Sequence, residues 1–453
     1  MCKKQKLLIT AVLAVSFILC IIYCIALKTG IADNGSLASV ESALGLSKTD
    51  SGGHFNYKFN KSAPGGGIGG SLSMLFAMFT ALPGAVFDAR CSAVFYIILM
   101  LVSFFLIIKN TKFEDPVQKI IGAVLFLFIF FDAAYLAYFN TLYPEAGFNV
   151  FLILTLALFT GAVFTEKYKI VYTVLFAFCA VFACGFKMNT AVMCIVFALM
   201  AAGLAFFDKD KIYRIVAGIM AVLILIVPLA AFKNINPAEY RVSLYHSVFY
   251  GIAKENPDAV AELGLPDEYK EFAGKTYYEV ENVPEEFYEN MNYKKVVLYY
   301  ITHPGEYFKK IKVAANNGFE IRPRYIGSYP AESGKGADEL SGGFVLYSFL
   351  KRRFIPANVF LVLLLPVLII GVILNFKKLT GNKKYAVMIA GCALLSLVVF
   401  NIPYITGGEA DLGRNMAIYS TVFDVMLYNF IIYMLNITTL RRREFKEKYG
   451  ADQ

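Results

Sequence analysis

The chain has 453 residues, of which 58% are hydrophobic and only 17% are charged. The apolar residues fall in blocks of roughly 17 to 23, the length of a helix that crosses a bilayer core of about 30 Å. Backbone groups inside a bilayer must be hydrogen-bonded within their own segment, so these blocks are predicted to be helices. The pattern excludes a soluble globular enzyme. The net charge is +9, but Lys and Arg lie in short loops, so we expect a lipid bilayer around the chain and no nucleic-acid partner.

Ten transmembrane helices account for the apolar blocks, which predicts an all-α polytopic membrane protein. The predicted spans are residues 7–27, 91–108, 120–139, 148–165, 170–186, 189–207, 214–232, 356–375, 385–402 and 414–436. The first span follows a basic start, but its apolar stretch is too long for a signal peptide and no small-residue cleavage site follows it cleanly. We therefore interpret it as a retained anchor.

Basic residues concentrate on one side of the membrane, in the loops and ends around Lys3, Lys109, Lys167, Lys209, Lys377 and Arg441. Loops rich in Lys and Arg stay in the cytoplasm. Both chain ends are therefore predicted to be cytoplasmic, in a multi-pass protein of the plasma membrane whose active site faces outside.

Two long polar segments lie on the outer side and divide the chain. The first, residues 28–90, belongs to an N-terminal transmembrane module of seven spans, residues 1–232. The second, residues 233–355, forms an extracytoplasmic domain. Three further spans and a short basic tail make a C-terminal transmembrane module, residues 356–453.

Both outer segments are predicted to contain helices. The apolar run 71–87 is marginal in length for a span, so we expect it to lie at or dip into the outer face. In the second segment, a helix that starts at Pro304 has an apolar side with Tyr307 and Ile311, while Lys310 faces elsewhere. This helix suits either the membrane interface or packing on the rest of the external domain.

Acidic residues near the outer ends of the spans are candidates for catalysis. Asp33 follows the first span in an Asp-Asn-Gly sequence, which also forms turns. Asp132 lies within an apolar run, where an unpaired charge costs about 3 kcal/mol or more. Asn140 and Glu145 sit just outside that run. Asp132 and Glu145 either line a cavity or pair with basic groups and backbone amides.

Basic residues on the same side are candidates for binding an anionic substrate. Lys187 lies at a short outer turn, where a lysine can also snorkel to the surface. Arg322 and Arg324 follow the amphipathic helix, and their planar donor groups suit either a bound lipid phosphate or ordinary headgroups. Asp411 and Arg414 precede and open the last span, where Asp411 also fits a helix N-cap.

Cysteines and histidines form no pattern of their own. The eight cysteines lie almost entirely within or beside apolar blocks, so we expect no disulfide framework and no zinc site. The three histidines show no ligand spacing with another histidine, cysteine or acidic residue.

Taken together, these residues resemble the multi-spanning glycosyltransferases of the GT-C superfamily, in particular bacterial hexosyltransferases of the WsfD-like S-layer and cell-surface glycan group. The resemblance rests on Ala32-Asp33-Asn34-Gly35 with Leu44-Gly45-Leu46, Tyr135 through Glu145, Phe249-Tyr250-Gly251-Ile252 with Glu262-Leu263-Gly264-Leu265, and Gly408-Glu409-Ala410-Asp411-Leu412. One departure is Ser36, which stands where a second acid is expected. That departure leaves any role for paired carboxylates in this loop unsupported.

The resemblance implies transfer of a hexose from a polyprenyl-phosphate-linked donor to a glycan acceptor at the outer membrane face. Asp33 would be the general base on the acceptor hydroxyl. Glu145 or Asp132 would orient substrate hydroxyls, or bind a divalent cation if one is used. The remaining candidates would bind substrate: Lys187, Arg322, Arg324, Arg414, Asn140 and Asp411. The cations among them would neutralise the charge on the departing lipid phosphate.

Two other functions remain open at this point. An oligosaccharide polymerase or ligase is also polytopic with a large outer loop, but it acts through Arg and His more than through an acid after the first span. A lipid-linked glycan transporter or flippase is the non-enzymatic alternative. Such a transporter would show polar residues along several spans and matched repeats, and neither is visible in the sequence.

Overall fold

The computed structural model describes residues 3–26, 40–41, 44–48, 56–59, 70–80, 86–232, 237–323, 326–327, 329, 334, 339, 342–355, 359–375 and 383–449. Eighteen α-helices lie in these ranges: α1 Lys3–Ile21, α2 Gly70–Thr80, α3 Arg90–Asn110, α4 Pro116–Phe130, α5 Ala133–Leu136, α6 Pro144–Phe164, α7 Lys169–Cys184, α8 Met193–Phe207, α9 Lys211–Phe232, α10 Pro237–Ser247, α11 Ala259–Glu262, α12 Glu285–Asn290, α13 Tyr293–Thr302, α14 Pro304–Gly318, α15 Leu346–Phe354, α16 Val359–Asn375, α17 Lys383–Gly407 and α18 Leu412–Tyr449. The same ranges contain three β-strands: β1 Leu46–Lys48, β2 Asn56–Phe59 and β3 Phe87–Asp88. Two π-helices, Ile22–Ala26 and Val248–Ile252, and three 3₁₀-helices, Met188–Thr190, Asp267–Phe272 and Tyr277–Glu279, complete the regular structure there.

The chain is a multi-pass, mainly helical membrane protein, as the sequence predicted. Each predicted span coincides with one apolar helix, namely α1, α3, α4, α6, α7, α8, α9, α16, α17 and α18. Within the described ranges, five of these helices are long and apolar enough to cross a bilayer, and a sixth crossing results if the bent pair α15 and α16 counts as one span. Four further apolar helices are shorter.

Helix α6 lies in the middle of the bundle. Its residues from Pro144 to Ala162 are all buried, so side chains from neighbouring helices surround it on every side. The neighbours that pack most closely on it are α7 and α3. A helix buried all round in this way does not need a polar face, which explains why its sequence is almost uniformly apolar.

Local sequence signals fix where several helices begin. Asp115 caps α4, because its Oδ1 accepts a hydrogen bond from the Val117 N–H at 2.7 Å, and Pro116 occupies the first helical position. Asp132 caps the short helix α5 in the same way, through the Ala134 N–H at 2.9 Å. Helix α4 therefore ends at Phe130, before residue 139, where the predicted span 120–139 ends.

The first outer segment contains a small antiparallel sheet, which the all-α prediction did not include. β2 lies between β1 and β3, with Leu46 opposite Phe59 and Tyr57 opposite Phe87. Helix α2 has 11 residues and therefore spans roughly 16 Å, about half of a bilayer core. Residues 81–85 lie outside the described residues, so the placement of 71–87 at the outer face stays a prediction.

The second outer segment has its own hydrophobic core. Aromatic side chains dominate it: Tyr245, Phe249, Tyr269, Phe272 and Phe287 are buried against one another, with ring centroids 4.8 to 6.5 Å apart. Rings at these distances attract one another beyond their burial. This cluster lies in α10 to α13 and the turns between them, and the domain limits 233 and 355 remain a prediction.

Helix α14 packs on the transmembrane bundle, mainly on α18 and α17. Ile311, Ala314 and Ala315 are buried in this contact, whereas Phe308 is 59% exposed. The sequence interpretation was therefore wrong for Lys310. This side chain was expected to face elsewhere, but it is only 4% exposed because it forms an ion pair with Glu409 of the bundle.

A buried ion pair joins α15 to the middle of α18. Lys351 Nζ lies 2.6 Å from Asp424 Oδ1, and neither side chain is exposed. The hydroxyls of Tyr347 and Tyr135 donate to the two Asp424 oxygens at 2.6 and 2.5 Å, and Lys351 also donates to Ser420 Oγ at 2.7 Å. Every strong donor and acceptor in this group is therefore paired, which is the condition for burying charges in an apolar bundle.

This network predicts opposite outcomes for single and double substitutions. Asp424→Leu leaves the Lys351 ammonium buried without its counter-charge and should destabilise the protein by about 3 to 5 kcal/mol. The double variant Lys351→Met, Asp424→Leu removes both charges and should recover most of that loss. Apparent melting temperatures of the purified proteins in detergent test this, and a double variant no more stable than Asp424→Leu would contradict it.

Candidate functional site

Three loops at one end of the bundle bring most of the predicted site residues together. They are residues 131–143, between α4 and α6; 185–192, between α7 and α8; and 408–411, between α17 and α18. We call this the distal end. The charge pattern of the sequence predicts that it faces outside.

Glu145 is the centre of the charged group at the distal end. It occupies the first turn of α6, where free backbone N–H groups favour a carboxylate, and its side chain is fully buried. Lys187 Nζ lies 2.6 Å from its Oε1 and Arg414 Nε lies 3.5 Å from the same oxygen. The other carboxylate oxygen, Oε2, accepts no hydrogen bond from the part of the chain that the structure describes. Glu145 therefore keeps one buried acceptor for a further donor.

The first turn of α18 completes this group. Arg414 Nη2 lies 2.8 Å from Asp411 Oδ2, and the guanidinium stacks over the Tyr143 ring at 4.7 Å. Lys187 also donates to Asn415 Oδ1 at 2.9 Å. The cations are held from several sides, yet their side chains stay 15% and 16% exposed. They can therefore contact a bound anion without leaving their partners.

Asp132 and Asn140 shape the loop 131–143. Asp132 Oδ2 accepts the Ser348 N–H at 3.0 Å, which ties α5 to α15, and Asn140 Nδ2 donates to the Cys24 carbonyl at 2.6 Å. Both side chains are buried. Among the described residues, Asp132 and Glu145 share no hydrogen-bond or ion-pair partner, so the described geometry does not join these two predicted acids through a common group.

Arg322 lies next to this loop and donates only to neutral oxygens among the described residues. Its Nη1 donates to the Ile326 carbonyl at 3.1 Å and lies 3.5 Å from the Tyr23 hydroxyl. The guanidinium rests on the backbone of Gly327, which has φ +85°, and a Cβ at that position would lie 1.7 Å from Nη1. Glycine is therefore required at 327 both for the backbone conformation and for the position of Arg322.

Tyr138 lies between the two basic groups. Its hydroxyl donates to the Ile321 carbonyl at 3.2 Å, beside Arg322, and it is within electrostatic range of Glu145, Arg414 and Arg322. The loop 131–143 thus separates Arg322 on one side from Lys187 and Arg414 on the other. Both groups belong to a single polar region of the distal end.

Two cavities lie next to each other near the loop 131–143. The first, about 370 Å³, is a largely apolar groove between α1 and α4, lined by residues such as Leu19, Tyr23 and Phe128. The second, also about 370 Å³, is lined by Arg322, Arg352 and Glu320 among mainly apolar residues, and we call it the arginine chamber. Arg352 Nε lies 3.9 Å from Glu320 Oε1. Gly343 lines both cavities, which are therefore neighbours.

Glu409 attaches the external segment to the distal end. Its carboxylate forms ion pairs with Lys254 and with Lys310, the latter at 2.6 Å. Burial alone would raise the pKa of Glu409, but these two ammonium groups outweigh it and hold the pKa below its usual value. Next to it, Gly408 has φ +58°, and a Cβ there would lie 2.3 Å from the His246 carbonyl oxygen. The last outer loop is therefore fastened to α10 and α14 only two residues before Asp411.

Some residues of this region were missed by the sequence analysis. Arg352 belongs to a basic run at the end of α15 and was not distinguished from its neighbours. Glu409 lies in a loop in which only Asp411 was named as a candidate. Glu239 is half-buried at the start of α10, near Lys187, and burial raises its pKa to about 7. Its only signal in the sequence was its position directly after a predicted span.

Two predicted site residues, Asp33 and Arg324, lie outside the described residues. Their roles stay as predictions from the sequence. In the described part of the chain, no three carboxylate, histidine or cysteine side chains form a group with the geometry of a metal site.

The chain matches the family model described as the YfdI N-terminal transmembrane domain over residues 2–451. It belongs to this family. The YfdI family is one of GT-C-like membrane glycosyltransferases, which agrees with the resemblance at the superfamily level. No curated protein and no solved structure matches the chain. The WsfD-like assignment stays a prediction.

Glu239 generates a prediction about pH. In the folded protein its pKa is about 7, against an ordinary value of 4.5, so the folded state holds a proton that the unfolded chain releases first. This contribution to stability is complete below pH 4.5 and is lost as the pH rises to about 7. Glu239→Gln removes the loss, so the variant should match the wild type at pH 4.5 and be more stable by about 1 to 2 kcal/mol at pH 8.

Melting temperatures of both proteins across this pH range measure the effect. The exposed residue Glu268 offers a control on the same domain, since Glu268→Gln changes one carboxylate at the surface. A Glu239→Gln variant whose stability follows that of the wild type at every pH would show that Glu239 is not proton-bound in the folded state.

Proposed function

We propose that this chain is a hexosyltransferase that uses a polyprenyl-phosphate-linked sugar as donor. It transfers the hexose to a cell-surface glycan acceptor at the outer face of the plasma membrane. Membership in the YfdI family supports the glycosyltransferase class. The observation that carries the proposal is the apolar groove between α1 and α4 and the arginine chamber next to it, which share Gly343 in their lining.

The two cavities match the two chemical parts of such a donor. A polyprenyl chain is apolar and favours the groove, where burying each CH₂ group contributes about 0.8 kcal/mol. The phosphate at its end favours Arg322, whose guanidinium donates paired hydrogen bonds to phosphate oxygens. Arg352 adds a second guanidinium to the chamber, where it also lies 3.9 Å from Glu320 Oε1. Because the two cavities are neighbours at Gly343, the proposed donor has its lipid chain in the groove and its phosphate in the chamber.

The charge state of Arg322 supports this assignment. No carboxylate pairs with Arg322 in the described part of the chain, whereas Lys351 and Lys310 are each neutralised by an acid. Its positive charge therefore remains available for an anion. The hydrogen bond to the Ile326 carbonyl at 3.1 Å orients the guanidinium before any ligand arrives, which reduces the entropy lost on binding.

The second basic group consists of Lys187 and Arg414. It suits binding of the acceptor and stabilisation of the negative charge that develops during transfer. Lys187 and Arg414 lie across Tyr138 from Arg322 and are anchored by Glu145. The unused oxygen Oε2 of Glu145 can accept a hydrogen bond from a sugar hydroxyl. Cations fixed before the reaction stabilise developing negative charge without reorganisation.

The transfer itself consists of one displacement at the anomeric carbon. The acceptor hydroxyl oxygen forms a bond to that carbon while the bond from the carbon to the phosphate oxygen breaks. The bonding electrons leave with the polyprenyl phosphate, and the hydroxyl proton goes to a general base. We assign that base to Asp33, on the sequence resemblance alone.

The geometry of the two described histidines disfavours the polymerase or ligase alternative, while His54 lies outside the described residues. His246 Nε2 accepts the Tyr277 N–H at 2.9 Å, and burial lowers its pKa to about 4. His303 stacks on Tyr299 at 4.3 Å. Both rings are thus engaged inside the external segment, away from the arginine chamber.

Arg322→Lys tests the donor site. Lysine keeps the charge but loses the paired donors, so the KM for a polyprenyl-phosphate-linked sugar should rise at least about tenfold. The control is Arg353→Lys, on the exposed face of α15 and outside the chamber, which should leave KM near the wild-type value. Both are measured as transfer of radiolabelled hexose in membranes with equal protein content. An unchanged KM in Arg322→Lys would reduce Arg322 to a contact with headgroups.

Asp33 is tested by a matched pair of substitutions. Asp33→Asn preserves size and turn preference but cannot accept a proton, so transfer should fall about 100-fold at normal protein levels. A residue that only shapes a turn would behave in the opposite way: Asp33→Asn would transfer sugar normally, and Asp33→Leu would lower expression. Transfer and expression measured for both variants distinguish these roles.

A further inference from the structure

An exposed apolar face lies on helices α13 and α14 of the second outer segment. On α13, Val297, Leu298 and Ile301 are exposed, Ile301 by 70%. Residues three and four apart share one side of a helix, so these side chains form one stripe. On α14, which His303 alone separates from α13, Phe308 is exposed as well. We call these four residues the α13–α14 face. Large apolar side chains grouped in this way mark a surface that contacts another molecule or a membrane.

The inner sides of the two helices are already occupied. The rings of Tyr300 and Tyr307 lie 6.1 and 6.2 Å from the ring of Tyr404 on α17. Val296 and Tyr299 are buried in the aromatic core of the outer segment. Each helix therefore packs on protein with one side and presents its remaining apolar side chains outward.

Two hydrogen bonds determine the level of these helices along the bundle. The Tyr307 hydroxyl donates to Asn401 Oδ1 at 2.7 Å, and the Tyr293 hydroxyl donates to the Thr406 carbonyl at 3.1 Å. Asn401 and Thr406 lie in the last two turns of α17, beside residue 402, where the predicted span ends. Tyrosine is enriched at this boundary between hydrocarbon and water. The α13–α14 face is therefore at the level of the membrane interface.

A lipid-facing helix adjoins this face. Helix α14 packs on α16. Leu364, Val367 and Ile370 of α16 are exposed apolar side chains on a helix that the sequence predicts to cross the bilayer, so they contact lipid chains. The surface of α14 thus continues a surface that lipid already covers.

Free lysines lie at both edges of the face. Lys294 is one turn before Leu298 on α13, Lys312 is one turn after Phe308 on α14, and both are exposed. Neither forms an ion pair with a described residue, whereas Lys309 lies 2.7 Å from Glu306 Oε1. Lysines beside an apolar surface extend their ammonium groups to the headgroup level. There they attract anionic lipids.

We propose that the α13–α14 face is embedded in the bilayer leaflet at the distal end and that Lys294 and Lys312 contact anionic phospholipid headgroups there. The apolar side chains lie at the boundary between headgroups and acyl chains, about 5 to 10 Å deep, as those of interfacial helices do. The second outer segment thus rests on the membrane through α13 and α14. This contact is independent of sugar transfer.

The absence of tryptophan from the chain allows a direct test of the depth. Ile301→Trp places a single fluorescent reporter on the face of the full chain, reconstituted in vesicles of phosphatidylcholine and phosphatidylglycerol. Lipid brominated near the top of its acyl chains should quench most of this fluorescence, and lipid brominated near the chain ends should quench less, because bromine quenches only on close approach. The control is Tyr278→Trp, an exposed aromatic position followed by the exposed Glu279, which should keep its fluorescence.

The headgroup contact is tested in the Ile301→Trp background. Brominated phosphatidylglycerol should quench more than brominated phosphatidylcholine at equal mole fraction, corresponding to a local enrichment of at least about threefold. Lys294→Gln should lose most of this preference. Lys275→Gln removes an exposed lysine of the same segment outside the face and should keep the preference.

Two results would overturn the proposal. If brominated lipid quenches Ile301→Trp no more than Tyr278→Trp, then water, a glycan or a second copy of the chain covers the face. Equal quenching by the two headgroups would exclude the contact with anionic lipid. Phe308→Trp reports from the other helix with the same expected outcomes, so it decides if Ile301→Trp fails to fold.

Discussion

The structure depends on the requirement that a charge buried in an apolar helix bundle has to meet its counter-charge there. Asp424 and Glu145 are both fully buried, and each fixes elements from distant parts of the sequence. Asp424 holds Lys351 of α15 and Tyr135 of α5, while Glu145 holds Lys187 and Arg414. Breaking either group would leave a charge without solvent or partner, so the helix ends cannot shift independently.

This constraint also explains how the polar loops at the distal end are arranged around a cavity. Asp132 links α5 to α15 through the Ser348 amide, and Lys351 of the same helix pairs with Asp424 of α18. α15 is therefore fixed at two points. Arg352, at its basic end, lines the arginine chamber. A structural network inside the bundle thus determines where this guanidinium lies.

The external segment is coupled to the same region by charge and by close backbone contact. Glu409 binds cations from two separate elements, Lys254 and Lys310, and Gly251 touches the backbone of Gly408. Two short motifs that the sequence resemblance had placed about 150 residues apart are in direct contact. The contact positions the loop that contains Asp411 and supports a role for the external segment in shaping the site, beyond covering it.

The sequence by itself determined the class of protein, the positions of the ten apolar helices and the outer-end residues Glu145, Lys187 and Arg414 as candidates. Helix length and loop charge are local properties, so they can be read without knowing which helices touch. The pairing of charges was decided only by the tertiary structure. Lys310 was expected to face away, and Asp424 was not singled out at all, because a partner 99 or 73 residues distant leaves no periodic signal in the chain. The cavities could not be predicted from the sequence for the same reason, since each forms between helices that only the folded bundle brings together.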